Sequence, residues 1–263
     1  MLETVTAQRF DRQMSNGKTG PCLLACERAD GQEVELVAKF SAGCDRGAGA
    51  LVAEAIGAML AVDLDLPVPE PVVVAFDDDF IRTLPASAGA VVDRMRRSVR
   101  LAFGSAKLPP GFAVLPVGKS IPPTSRQQAA DVFAFDCLIQ NADRRPENPN
   151  LQFNGHSFAI YDHELAFMTE GIIGWQPPWQ PGALQGTQNR HALFTALAGR
   201  QYDWARMEGA WQALSQERLA EFRAALPYEW TANNTVADEA LAYLAQVRDN
   251  VRPALAEVAR VLA

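Results

Sequence analysis

The chain has 263 residues, 48% of them hydrophobic and 21% charged, a balance that belongs to globular proteins and excludes a disordered chain. A formal net charge of −7 excludes the strongly basic field that draws proteins to nucleic-acid phosphates. Four cysteines without a CxxC pair and only three histidines leave no pattern for a structural zinc site, so the thiols are expected to be reduced and mostly buried.

The start, MLETVTAQRF, lacks the basic and apolar regions of a signal peptide. No run of about 18 apolar residues suits a membrane span. A cytoplasmic location with no membrane and no nucleic-acid partner is expected. Strand patterns run from Thr4 to Phe10, Cys22 to Glu27 and Glu33 to Phe40, with Asp30-Gly31 turning between the last two. The first two flank the loop SNGKTGP, Ser15 to Pro21, whose glycines permit positive φ and close approach of backbone to a ligand. Ala48 to Val62 reads as an apolar helix in which Glu54 is the one charged residue, and a carboxylate so placed needs a partner if buried. LPVPEP then breaks the helix before the strand VVVAF. Residues 1–88 are thus expected to form a small antiparallel β lobe with one helix.

Residues 89–263 are expected to form a larger, mainly α-helical lobe with one hairpin. Arg94, Arg96, Arg97 and Arg100 read as a solvated basic face with no role. Ser125 and Gln128 resemble a capping box opening a helix that runs through Ile139. The polar loop NADRRPEN follows. NLQF and HSFAIY, joined by Asn154-Gly155, form the hairpin that delivers Asp162. Helices are expected near 190–199, 203–226 and 236–262.

Phosphoryl transfer from ATP needs backbone donors over the phosphates, a fixed cation, magnesium ligands and a group to accept the nucleophile's proton. Each part has a candidate in order. Ser15, Asn16, Gly17, Lys18, Thr19 and Gly20 form the glycine loop, Lys39 ends the third strand, and Glu54 follows to orient that lysine. Asp143 and Asn148 have the D-x-x-x-x-N spacing that lets one side chain face the acceptor hydroxyl and the other bind Mg2+. Asp162, returned by the hairpin, is the second metal ligand. Gly17-Lys18-Thr19 also resembles the end of a Walker A loop, but Arg12 stands where the first glycine is required. A metal-dependent phosphatase or nuclease built on Asp143, Asp162 and Glu164 leaves Lys39 and the glycine loop without a task.

The runs FDCLIQNADRRPENPNLQF and AIYDHELAF, with SNGKTGPCLLACE, ELVAKF and EAIGAMLAVDLDLPVPEP before them, resemble the HipA-like kinase family over most of residues 10–170. The Asp143-Arg144 pair is more distantly similar to the phosphoinositide-kinase catalytic loop. The resemblance implies an α+β, two-lobed protein-kinase-like fold, with ATP and Mg2+ as cofactors. It makes Lys39 the phosphate-binding lysine, Glu54 its ion-pair partner, Asp143 the catalytic aspartate, and Asn148 and Asp162 the metal ligands. It also implies a serine or threonine of another protein as acceptor, and a protein partner of the toxin–antitoxin kind. Asp-His-Glu at 162–164 departs from the Asp-Phe-Gly of ordinary protein kinases. A small-molecule acceptor and a catalytically inactive nucleotide-binding pseudokinase module remain as alternatives. The segment Gly171 to Gly186, with Trp175 and Trp179, is read either as an acceptor surface or as a packed loop.

Overall fold

The structure, a computed structural model, describes residues 2–15, 17–116, 118–169, 173–188 and 190–263. It divides into two compact units. The first comprises Met1–Ile56, Pro69–Leu108 and Glu221–Asp238, and the second Gly57–Val68, Pro109–Ala220 and Glu239–Ala263. The boundary expected between residues 88 and 89 falls inside the first unit.

The first unit is built on a closed barrel. Its strands are β1 (Glu3–Gln13), β2 (Cys22–Glu27) and β3 (Glu33–Lys39), then, after α1 (Ala48–Asp63), β4 (Pro71–Ala75) and, after α2 (Asp78–Thr83) and α3 (Gly89–Arg97), β5 (Leu101–Ala106). They close in the order β1-β2-β3-β5-β4. Two expectations need correction. The sheet is not wholly antiparallel, because β1 and β4 pair in parallel from Glu3 against Val72 to Thr6 against Ala75, and the unit holds more than one helix. Residues 101–106 are a strand rather than part of a helical remainder: pairing with both β3 and β4 overrides the weak local preference of LAFGSA. The interior is filled by Val5, Leu24, Leu36, Val72, Val74 and Ala102. It is so narrow that a Cβ on Gly104 would lie 2.6 Å from Val74, which is why glycine stands there.

The second unit surrounds α4 (Arg126–Leu138), a helix buried from Ala129 to Leu138. Beside it is a three-stranded sheet of β6 (Ala113–Val114), β7 (Leu151–Phe153) and β8 (Phe158–Ile160), one strand more than the expected hairpin. The Asn154 side chain caps that hairpin turn by accepting from the amides of His156 and Ser157. The expected capping box at α4 is absent. Ser125 donates instead to the His156 carbonyl at 2.8 Å and Gln128 accepts from the Phe158 amide at 3.0 Å, so the same side chains tie the helix to the hairpin.

Beyond the sheet come α5 (Phe194–Leu197), α6 (Ala205–Gln212), α7 (Gln216–Ala225), α8 (Tyr228–Thr231), α9 (Val236–Asp249) and α10 (Val251–Leu262). The expected long helices are thus interrupted. At the last break the cause is Pro253, which cannot donate to the carbonyl four residues earlier and fits only in the first turn of a new helix. In the first unit Trp230 of α8 is fully buried and donates to the Leu101 carbonyl at 2.8 Å. The four cysteines are free and buried, as expected. Among the described residues no helix is long and apolar enough to cross a membrane.

Within the second unit, Gly57 of α1 leaves room for the buried His163. A Cβ there would lie 2.6 Å from the His163 Cβ and 2.9 Å from its Cγ, while the imidazole meets Phe135 of α4 edge-on at 5.7 Å. Gly57→Ala gains about 1 kcal/mol of helix propensity but meets an overpacking cost of about 1–3 kcal/mol. The denaturant midpoint of the variant is therefore expected to fall below that of wild type. An unchanged or higher midpoint would show that His163 can yield.

Candidate active site

In the first unit, the loop from Ser15 to Pro21 joins β1 to β2. The Met14 amide donates to the Pro21 carbonyl at 2.8 Å and the Gly20 amide to the Gly17 carbonyl at 3.0 Å. Gly17 and Gly20 stand at φ +104° and +60°, where a side chain would be strained. Ser15, Gly17 and Lys18 are exposed, Thr19 and Gly20 are buried, and Asn16 lies outside the described residues. Lys18 meets Asp45 at 2.8 Å, with both side chains in solvent, a contact that screening makes weak.

At the end of β3, Lys39 Nζ lies 3.3 Å from Glu54 Oε2, with side chains only 10% and 4% exposed. This is the pair that the lone carboxylate on an apolar helix required. Removing one member of such a buried pair strands the other charge, at a cost of about 3–5 kcal/mol. Arg94 of α3 does not belong to a purely solvated face, contrary to expectation. Its Nη1 donates to the Gly20 carbonyl at 2.5 Å, because the barrel strands bring the loop and α3 together.

In the second unit, the loop after α4 folds around Asp143. Its Oδ2 accepts from the side-chain amides of Asn148 and Asn150, each at 3.0 Å, and its backbone amide donates to Asn141 Oδ1 at 3.3 Å. Its Oδ1 faces Arg145 Nη2 at 3.1 Å, with the aspartate side chain 16% and the arginine 46% exposed. With Nδ2 committed to Asp143, Asn148 has its Oδ1 to offer a cation. Asp162 follows β8 at φ +67°, a left-handed backbone that is uncommon for a non-glycine residue.

Three residues without a task in the sequence pattern, Arg144 of the Asp143-Arg144 pair among them, hold this loop. Arg144, 1% exposed, donates from Nε to Asp136 Oδ2 at 2.5 Å and from Nη2 to Oδ1 at 3.2 Å. Its Nη1 reaches the carbonyls of Asn150, Pro149 and Tyr161. One guanidinium therefore joins α4, the end of the Asp143 loop and the residue before Asp162. Asp136 also accepts from Asn141 Nδ2 at 2.9 Å and contacts His191 Nε2 at 3.0 Å. His191 Nδ1 accepts from the Leu193 amide at 3.1 Å, which assigns the proton to Nε2 and makes the imidazole a neutral donor to Asp136. Burial pushes the Asp136 carboxyl up, but the charge of Arg144 and the hydrogen bond from His191 overcome it and hold the group well below the usual carboxylate range. Burial lowers the pKa of His191, and Arg144 opposes its protonation further, against the raising influence of Asp136.

A family model described as HipA-like kinase matches residues 8–257. The chain belongs to the HipA-like kinase family. That family is one of kinases, which in general use ATP and a divalent metal. Among solved structures, the proinflammatory kinase CtkA of Helicobacter pylori shares the fold, with a TM-score of 0.51 at 10% identity over 98% of each chain. The MAP kinase LmaMPK10 of Leishmania major aligns over 95% of this chain and 82% of its own at 13% identity, with a TM-score of 0.30. No curated protein matches the chain. The oxygens of Asn148 and Asp162 are of the hard kind that magnesium takes, with few protein ligands beside water and phosphate.

Two tryptophans anchor the segment before α5, since Trp175 Nε1 donates to Gln140 at 3.1 Å and Trp179 stacks on Tyr243 with ring centroids 6.4 Å apart, while Ile173, Gln176, Gln180 and Gln185 are exposed. Gly171 lies outside the described residues.

Two measurements check the buried network. Arg144→Ala leaves Asp136 charged and buried, and is expected to cost about 3–5 kcal/mol in denaturant unfolding; a loss under about 1 kcal/mol would show the pair to be dispensable. The lowered pKa of His191 gives a second outcome. Its contribution to stability is fully present above its ordinary value of 6.5 and is lost as pH falls through the folded value. The Asp136 window begins only below that group's ordinary 3.8. Stability should therefore decline between pH 6.5 and 3.8, and His191→Gln should remove part of that slope. Equal slopes in the two proteins would count against a buried neutral imidazole.

Proposed function

We propose that this HipA-like kinase is an ATP- and Mg2+-dependent phosphotransferase that transfers the γ-phosphate to a hydroxyl, with a serine or threonine of another protein as acceptor. The observation that carries the reading is the setting of Asp143. One carboxylate oxygen is fixed by two amides while the other, among the described residues, faces a half-exposed arginine, as suits a group that must meet an incoming hydroxyl.

When bound, ATP with magnesium supplies the phosphoryl group and the charge that neutralises its oxygens. Lys39 is assigned the α- and β-phosphates, and Glu54 fixes the lysine so that its rotamer entropy is spent before the ligand arrives. The backbone N–H groups of Gly17, Lys18 and Thr19 are assigned the remaining phosphate oxygens, with the side chains of Ser15, Lys18 and Thr19 beside them. Asn148 Oδ1 and the Asp162 carboxylate are the metal ligands. Asp143 Oδ1 accepts the acceptor's proton. Arg145 occupies that oxygen at 3.1 Å, so it must swing outward as the hydroxyl docks, and its exposure gives it room. The segment Gly171 to Gly186, whose Trp175 is anchored to Gln140, is the candidate acceptor surface.

The separate duties of Asp143 and Asp162 provide the test. Asp162→Asn should weaken both magnesium-dependent ATP binding and turnover. Asp143→Asn should leave ATP affinity within a few-fold while turnover falls about 100-fold or more, the range of a positioned general base. Isothermal titration with Mg-ATP and radiolabelled phosphate transfer, with self, mixed protein and small-molecule acceptors, would measure both. Tight binding without turnover by wild type would make the chain a pseudokinase module, and transfer only to small molecules would replace the protein acceptor.

A further inference from the structure

Two glycines in the first unit open onto one arginine. A Cβ on Gly20 would lie 2.6 Å from both Nη1 and Nη2 of Arg94, and a Cβ on Gly43 would lie 3.0 Å from its Cδ, 3.3 Å from its Nε and 2.5 Å from the Thr19 carbonyl. Gly20 ends the glycine loop. Gly43 lies just beyond Lys39, in the short turn Ser41–Gly43. The arginine thus occupies a socket that exists because two side chains are missing, one from each element. Its Nη1 donates to the Gly20 carbonyl at 2.5 Å.

The helix that carries Arg94 is itself fastened to that turn. Ser98 Oγ donates to the Arg94 carbonyl at 2.8 Å and accepts from the Ala42 amide at 3.0 Å, while the Val99 amide donates to Ser41 Oγ at 3.1 Å. Its neighbours differ. Arg97 is exposed, and its Nε donates to the Asp93 carbonyl of its own helix turn at 3.2 Å.

We propose that Arg94 is a positioning residue for the nucleotide, pinning the C-terminal hinge of the glycine loop to the turn that follows Lys39. This rests on the kinase reading and deepens it. A glycine loop is adaptable because its backbone is permissive, and a phosphate cradle works only if its N–H groups are already aimed. Arg94 supplies that aim from outside the loop: it holds the Gly20 carbonyl, and the N–H groups of Gly17, Lys18 and Thr19 stay fixed relative to Lys39.

The experiment compares Arg94→Gln, Arg94→Lys and the neighbour control Arg97→Gln in the full chain. The probe is a non-hydrolysable ATP analogue with magnesium, read by calorimetry, together with amide hydrogen exchange over residues 17–22. Arg94→Gln should raise the Kd about tenfold, the weight of one well-placed charged hydrogen bond, and speed exchange in the loop. Arg94→Lys, which keeps the charge but loses the planar fork, should recover part of the affinity, and Arg97→Gln should match wild type. In turnover, the KM for ATP should rise in Arg94→Gln while the KM for the acceptor stays put. Wild-type binding by Arg94→Gln, or the same loss in Arg97→Gln, overturns the assignment. So does loss of the folded state in both Arg94 variants, which would make the residue structural. A wild-type chain that binds no analogue overturns instead the kinase reading on which this inference stands.

Discussion

The arrangement of the second unit depends on one buried contact, the guanidinium of Arg144 against the carboxylate of Asp136, both side chains with no solvent exposure. Burying two charges is costly, and their attraction offsets the lost hydration only when the remaining donors and acceptors are also satisfied. Here they are. Asp136 takes further hydrogen bonds from Asn141 and His191, and the outer nitrogen of Arg144 goes to backbone carbonyls on two separate segments. An apolar pair of the same volume could fill the space but could not hold Asn150 and Tyr161 at once. What the ion pair contributes is a fixed distance between the loop that carries Asp143 and the strand end that carries Asp162.

The first unit repeats the device with Lys39 and Glu54. In each unit a long cation is held by a buried carboxylate from a helix. The consequences differ. Arg144 is saturated by protein groups and so acts as a brace, whereas a lysine ammonium is a compact point charge with rotatable donors, suited to being shared with a phosphate. One pair therefore reads as architecture, and the other is the proposed phosphate-binding pair.

Much of this was legible in the sequence, and for identifiable reasons. β1–β3 and α1 have strong periodicity, and Glu54 stands out because its helix is otherwise apolar. The same argument was available for Asp136, which sits in AFDCLI, and it would have demanded a buried cation nearby. It was passed over because Asp143 and Asn148, a few residues on, offered more recognisable chemistry. His191 could not have been found that way: it is 55 positions from Asp136, and only the packing of α4 against the segment before α5 brings it there. Arg94 was misread because three other arginines on or near the same helix made the whole group look solvated. β5 was missed because its preference for a strand comes from its neighbours on both sides. The capping-box reading of Ser125 and Gln128 failed for a related reason, since both side chains found tertiary partners that a local rule cannot see.

The backbone around Asp143 shows what the brace is for. Of the five non-glycine residues with a left-handed backbone among the described residues, four are Gln140, Asn150, Asp162 and Phe167, all at or beside the candidate site. Each such residue costs of the order of 1 kcal/mol and persists only where the surroundings over-determine it. The surroundings here are specific. The Asn150 carbonyl is bound by Arg144, and its side chain by Asp143; Phe167 donates its amide to the Ile139 carbonyl at 2.8 Å; and Gln140 is held by Trp175 and by its own bond to the Cys137 carbonyl. Asp162 follows Tyr161, whose carbonyl Arg144 also reaches. Gln140 and Phe167 are thus held by bonds of their own, while the buried Arg144–Asp136 pair holds the Asn150 carbonyl and the residue before Asp162, so the two left-handed positions that flank the proposed metal site are fixed from one guanidinium.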